Sequence, residues 1–234
     1  MQDEDAHCGS GMTNGGKSTL SKSLQEKIPN SCIIAQDSFF KDESVVPVDA
    51  SGFKQYDTLN ALHMDAMMGR VDAWRRDPPA FLRETGGTAE TTARWAGRVF
   101  VLIVEGFLIF NHRPLNELMD KRYFLEIPYD ICKERRRSAL LSRFCSAWTR
   151  RITLNILTHG RCLCATNSSR VYKPPDPPGY FDGHVWPMYL KNRRQMENAV
   201  VGIVFLDGLK SKEELLAAVF QDVRQEIHML TEKD

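Results

Sequence analysis

Gly11-Met-Thr-Asn-Gly-Gly-Lys17-Ser18 fits the pattern G-x-x-x-x-G-K-[ST]. In such a loop, successive backbone N–H groups wrap a pyrophosphate at the start of a helix. Gly11, Gly15 and Gly16 let the backbone approach the phosphates, and Met12, Thr13 and Asn14 complete the cradle. Lys17 reaches the β and γ oxygens, the Ser18 hydroxyl can ligate Mg²⁺, and Thr19 continues into the helix. A chance match in a chain this long has a probability of roughly one in a hundred. The helical pattern that follows, with Leu20, Leu24 and Ile28 at intervals of four, favours a phosphate loop over a glycine-rich turn without a ligand.

Upstream the context is unusual. A phosphate loop leaves the end of a buried apolar strand, and here Asp3-Glu4-Asp5-Ala6-His7-Cys8 stands in that place. No strand is expected there, so the loop's chemistry is present while its anchor is missing. Downstream, four short runs rich in branched residues read as buried parallel strands: Cys32 to Ala35, Val99 to Val104, Tyr123 to Ile127 and Gly202 to Leu206. Lys17 to Lys27 and Leu59 to Trp74 read as amphipathic helices, and Ser211-Lys-Glu-Glu214 opens a C-terminal helix with a capping box. Strands alternating with helices predict an α/β domain with a parallel sheet. Residues 1–234 are read as one domain with an atypical N-terminus at 1–8 and an insert at 137–167.

Composition narrows the partners. Thirty-one basic and thirty acidic side chains nearly cancel in 234 residues, so no nucleic-acid or membrane-surface partner is expected from global charge. The acidic opening Met1 to His7 does not resemble a signal peptide, and no segment runs long enough without charge to span a bilayer. A cytoplasmic location is expected. The six cysteines fall at no regular spacing, and a reducing compartment keeps them as thiols. His159, Cys162 and Cys164 lie close together but lack the second paired cluster of a zinc site.

Ligands of open α/β sheets collect outside the carboxyl ends of the strands. Asp37 and Glu105 follow two of the strands and are candidates for base and metal roles, against loop capping and a structural ion pair. Asp57, in Gly52-Phe-Lys-Gln-Tyr-Asp57, can accept hydrogen bonds from a diol while Tyr56 offers a flat face, or it can cap the helical pattern beginning at Thr58. The residues alone leave these two readings level. Lys133, Arg135, Arg136 and Arg137 lie on an expected helix and Arg170 follows the insert; arginines there can neutralise a transferring phosphoryl group. From Lys133 to Arg170 nine Lys or Arg stand against one Glu, a local net charge of +8. The patch lacks the aromatic interleaving of a single-strand platform. Lys173-Pro-Pro-Asp-Pro-Pro-Gly179 reads as a rigid connector, and His184 beyond it as a structural hydrogen-bonding group.

Taken in order, the phosphate loop, Gln36-Asp37 with Phe39-Phe40-Lys41, Gly52 to Asp57, Val104-Glu-Gly-Phe-Leu108, Ile127-Pro-Tyr129, Pro174 to Gly179, Phe181 to Tyr189 and Leu206-Asp-Gly208 resemble the nicotinamide riboside kinases, nearest their muscle-type paralogue. The resemblance implies a P-loop nucleoside/nucleotide-kinase-like fold that uses ATP and Mg²⁺ to phosphorylate the ribose 5′-hydroxyl of nicotinamide riboside, and of nicotinic acid riboside, in NAD biosynthesis. It implies Asp37, Lys17 and Glu105 as catalytic residues, with Ser18 and Asp37 at the metal. It implies Asp37, Phe40, Tyr56, Asp57, Arg136, Tyr172 and Lys173 around the riboside. Arg135, Arg170, Val171 and Tyr172 are implied as a lid over ATP, with Lys210, Ser211 and Lys212 near adenine. Asp57 then binds rather than caps. Through the paralogue the resemblance also implies a protein partner, the cytoplasmic region of integrin β1.

Two departures stand out. Ser38 occupies the place of a second Asp that the family commonly carries, and about thirty residues separate Arg136 from Arg170 where the family has only a few. With the missing first strand, they leave open a second reading: a splice or gene-model variant that is a kinase-like binding protein without chemistry. A third reading, a kinase for another nucleoside such as uridine, fits the phosphate loop and Asp37 equally.

Overall fold

Phe100-Val-Leu-Ile-Val-Glu-Gly106 is buried from its second residue onward, and its side chains divide between two cores. Leu102 and Val104 pack with Met67, Val71, Trp74 and Leu82 on one face, whereas Val101 and Ile103 pack with Leu24, Ile28, Val219, Val223 and Ile227 on the other. A strand covered on both faces is what a near-continuous apolar run specifies. The computed structural model describes residues 4–11, 16–85, 99–136 and 176–232. The expected insert at 137–167, the cluster His159, Cys162 and Cys164, and Arg137 lie outside them.

The strands are β1 (Glu4–Gly11), β2 (Ser31–Ala35), β3 (Phe100–Gly106), β4 (Lys121–Glu126) and β5 (Ile203–Asp207). They form one sheet in the order β2-β3-β1-β4-β5, and every pairing is parallel. The helices are α1 (Lys17–Lys27), α2 (Met64–Arg76), α3 (Pro78–Glu84), the short α4 (Arg113–Asn116), α5 (129–136), α6 (Trp186–Ala199) and α7 (Lys212–Thr231). One face carries α2 and α3, the other α1 and α7.

The expectation that no strand precedes the phosphate loop is overturned. Glu4–Gly11 is the central strand, pairing with β3 on one side and β4 on the other. A ladder uses the backbone N–H and C=O that every non-proline residue carries, and a place between two apolar strands overrides side-chain propensity.

The expected helix Leu59 to Trp74 is divided. A 3₁₀ turn at Leu59–Ala61 precedes α2, whose N-cap is His63. Asp77 then caps α3 by accepting from the Ala80 amide at 2.9 Å. The capping box at α7 is formed as expected, with Ser211 and Glu214 bonding each other's backbone N–H groups. Beyond the proline-rich connector a π-helical turn, Phe181–Val185, runs into α6; this helix was not expected. Among the described residues no helix is long and apolar enough to cross a membrane. No group of three or more His, Cys, Asp or Glu suited to a metal occurs among them.

Candidate active site

The register of the sheet sets the site. Ala35 of β2 lies opposite Glu105 of β3, and Glu105 opposite Gly9 of β1, so β2 and β3 end near one level and β1 runs two residues beyond it. Asp37 lies two residues past β2, and Gly11 ends β1 where the phosphate loop begins. The loop closes at Gly16, whose φ of 95° is the left-handed conformation that favours glycine. The first turn of α1 then presents Lys17, 7 % exposed, and Ser18, whose hydroxyl donates to Glu105 Oε1 at 2.7 Å. Glu105 is thus tied to the phosphate loop and forms no structural ion pair among the described residues.

Gln36 locks these strand ends together. It is fully buried, and its Oε1 accepts from the backbone N–H groups of Phe107 at 3.1 Å and Leu108 at 2.9 Å. Gly106 lies so close that a Cβ there would come within 2.6 Å of Gln36 Cβ and Oε1. The segment carrying Asp37 is therefore stapled to the segment carrying Glu105.

The other wall of the site is the loop from Asp49 to Asp57. Asp49 Oδ1 accepts from the Ser51 and Phe53 amides, each at 2.9 Å, and the Phe53 amide is foremost in holding this carboxyl below its usual range. Phe40 stacks on Phe107, with ring centroids 5.6 Å apart, and meets Tyr56 edge-on at 5.9 Å. The three rings form an aromatic face. Asp57 does not cap: Thr58 is the N-cap of the following turn, and the Asp57 backbone carbonyl accepts from Asn192 Nδ2 at 3.0 Å. Its carboxylate instead lies 3.5 Å from His184 Nε2.

Arg136, at the end of the described part of α5, is buried and held in a fork by Asp176, with Nε donating to Oδ2 at 2.5 Å and Nη2 to Oδ1 at 3.0 Å. Its guanidinium lies 5.8 Å from the centre of the Tyr180 ring. Tyr180 donates to the Lys54 carbonyl at 3.0 Å. Burial, and then the charge of Asp57, push its phenol above the usual range. Tyr56, Asp57, Arg136 and Asp176 all interact electrostatically with Tyr180. Arg135 Nη2 reaches the Gly208 carbonyl at 3.5 Å, which brings α5 to the turn leading to Lys210, Ser211 and Lys212. Those three are exposed. Lys133 is spent otherwise, bonded to Asp182 at 2.8 Å and to Tyr129 at 2.9 Å.

Met12, Thr13, Asn14, Gly15, Arg170, Val171, Tyr172 and Lys173 lie outside the described residues. Sequence reasoning missed two participants, Gln36 as the staple and Asp176 as the partner of Arg136. Asp176 offered a signal, being the one carboxylate among four prolines that faces a run of arginines.

No protein-family model matches the chain. Individual relatives do. Over 217 residues the chain is 44 % identical to nicotinamide riboside kinase 1 of Rattus norvegicus, covering 93 % of this chain and 92 % of that one. It is 42 % identical to nicotinamide riboside kinase 2 of Mus musculus over 217 residues, covering 93 % and 94 %. The chain belongs to the nicotinamide riboside kinase family. A uridine kinase of Clostridium botulinum (strain 657 / Type Ba4) is 32 % identical over 127 residues, 52 % of this chain and 61 % of that one. The relatives named nicotinamide riboside kinase 1 match at 42–45 % identity and those named 2 at 42 %, so the identities assign the chain to neither paralogue.

Proposed function

We propose that this chain transfers the terminal phosphoryl group of ATP to the ribose 5′-hydroxyl of nicotinamide riboside, and of nicotinic acid riboside, giving the mononucleotide in NAD biosynthesis. The observation that carries the reading is the register of β1, β2 and β3. It supports a site in which the Ser18–Glu105 pair, 2.7 Å apart, lies level with the end of β2, two residues before Asp37. The aromatic face, Asp57 and Arg136 follow from segments next to them.

In this reading Asp37 orients the acceptor hydroxyl and takes its proton as the oxygen attacks phosphorus, while the bond to the leaving ADP oxygen breaks. Lys17 neutralises charge on the transferring oxygens. Tyr56 and Phe40 bound the pyridine ring, and Asp57 with Arg136 grips the ribose diol. Arg135 closes the nucleotide side towards Lys210, Ser211 and Lys212, and Arg170, Val171, Tyr172 and Lys173 complete the lid. A hydroxyl and two carboxylates suit a small hard cation that keeps waters and phosphate oxygens as its other ligands, so Ser18, Glu105 and Asp37 fit Mg²⁺. When bound it supplies positive charge to the phosphate oxygens.

We read 1–234 as one domain with its lid insert at 137–167. One ground for an inert kinase-like binding protein, the missing first strand, is removed by β1. Nothing among the described residues supports the integrin partner. A coupled ADP assay with ATP and Mg²⁺ against nicotinamide riboside, nicotinic acid riboside and uridine tests the proposal. Turnover that depends on the pyridine ribosides is expected; turnover on uridine alone, or none at all, overturns it.

A further inference from the structure

His184 is 4 % exposed, and its Nε2 is buried without a hydrogen-bond partner among the described residues. It sits on the π-helical turn Phe181–Val185, an irregularity frequent at functional sites. The ring is fixed on its faces, stacked on Tyr180 at 5.0 Å between centroids and tilted against Phe53 at 6.2 Å. Its other nitrogen is also fixed. Gln55 Nε2 faces Asp49 Oδ2 at 2.8 Å, the Phe53 carbonyl at 3.2 Å and His184 Nδ1 at 3.3 Å. The two amide hydrogens serve three neighbours, and Nδ1 also lies 3.8 Å from Asp49 Oδ2. The tautomer in which Nδ1 accepts from Gln55 carries its proton on Nε2. That N–H is directed to Asp57 Oδ2, 3.5 Å away.

We propose that His184 is a positioning residue for the acceptor site: its Nε2–H orients the Asp57 carboxylate, closing to hydrogen-bond distance when Asp57 engages the ribose diol. The inference rests on the reading of Asp57 as a riboside contact. A carboxylate on a loop can rotate about its terminal bond, and a buried donor on one oxygen leaves the other turned to the substrate. The chain from Asp49 through Gln55 and His184 to Asp57 thus fixes the outermost group from a buried ring. A purely structural histidine would have its second nitrogen satisfied.

His184→Phe keeps the aromatic stack and removes the donor, whereas His184→Gln keeps a donor at the Nε2 position. We expect KM for nicotinamide riboside to rise about ten-fold in His184→Phe, with kcat and the KM for ATP unchanged, and to return to within about two-fold of wild type in His184→Gln. In an Asp57→Asn background His184→Phe should add nothing further. Equal KM values for His184→Phe and wild type, or additive effects in the double variant, overturn the inference. Imidazole ¹⁵N spectra of the substrate-free protein read the pairing without turnover: an Nε2–H tautomer whose signal moves in Asp57→Asn supports it, and an Nδ1–H tautomer refutes it. If wild type shows no riboside turnover, or His184→Phe does not fold, these spectra decide the pairing on their own. If wild type turns over normally and His184→Phe matches it, this inference alone fails.

Discussion

The Ser18 hydroxyl donates to Glu105 Oε1 across 2.7 Å, joining the first turn of α1 to the end of β3 at the mouth of the phosphate loop. Glu105 is 5 % exposed, so its charge is held where water screens it little. Glu105→Gln keeps an acceptor for Ser18 and removes that charge. We expect kcat to fall about 10²-fold and the Mg²⁺ concentration for half-maximal rate to rise. Steady-state rates across a Mg²⁺ titration check both, and EDTA should abolish turnover in either protein. An unchanged Mg²⁺ midpoint would remove Glu105 from the metal side of the site.

Asp37 lies two residues beyond Ala35, the residue of β2 that is opposite Glu105. If it accepts the proton of the attacking hydroxyl, Asp37→Asn should lower kcat by about 10²- to 10⁴-fold. ATP binding, carried by the phosphate loop, should persist. The coupled assay reads the first quantity and a thermal-shift titration with ATP the second. Equal activity in the variant would refute the assigned role.

The parts of this fold that could be read from the sequence are those whose cause is local. The helix α1, the apolar runs that became β2 to β5 and the Ser211–Glu214 capping box each follow from neighbouring residues, although β5 is a partly exposed edge strand with Val204 and Phe205 open to solvent rather than the buried strand expected. Strand β1 could not be read, because an acidic segment gave no apolar pattern and its ladder partners lie on β3 and β4. The two readings of Asp57 stayed level for the same reason. The cap falls one residue later, on Thr58, and the carboxylate's neighbour is His184, 127 residues away. Gln36 is a still clearer case, since its role depends on amides 71 and 72 residues further on. The helix α6 was masked by the prolines before it and by Pro187 in its first turn, where proline is well tolerated.

Gly106 and Gly69 should respond in opposite directions to the same substitution. At Gly106 a methyl group would fall within 2.6 Å of Gln36, which is locked by two backbone bonds and cannot retreat. Gly106→Ala is expected to lose about 1–3 kcal/mol of stability through overpacking. Gly69 lies inside α2 with nothing within 4 Å of a Cβ, so Gly69→Ala should gain up to about 1 kcal/mol from helix propensity. Urea unfolding of both variants measures the contrast.

His112 gives the fold an acid-side sensitivity apart from the chemistry. Its Nδ1 is buried without a partner among the described residues, and burial lowers its pKa below the ordinary 6.5, with Asp65 acting in the opposite sense. Above pH 6.5 neither folded nor unfolded chain binds a proton here, and this group adds no pH dependence. As the pH falls through 6.5 the unfolded chain takes up the proton first, so stability declines. The decline ends below the folded-state pKa, where both states are protonated. His112→Gln removes the titration while leaving the backbone bond from the His112 amide to the Ile109 carbonyl intact. Urea unfolding at pH 7.5 and pH 5.5 should therefore show a smaller loss of stability in His112→Gln than in wild type. The same loss in both proteins would assign the acid sensitivity to other groups.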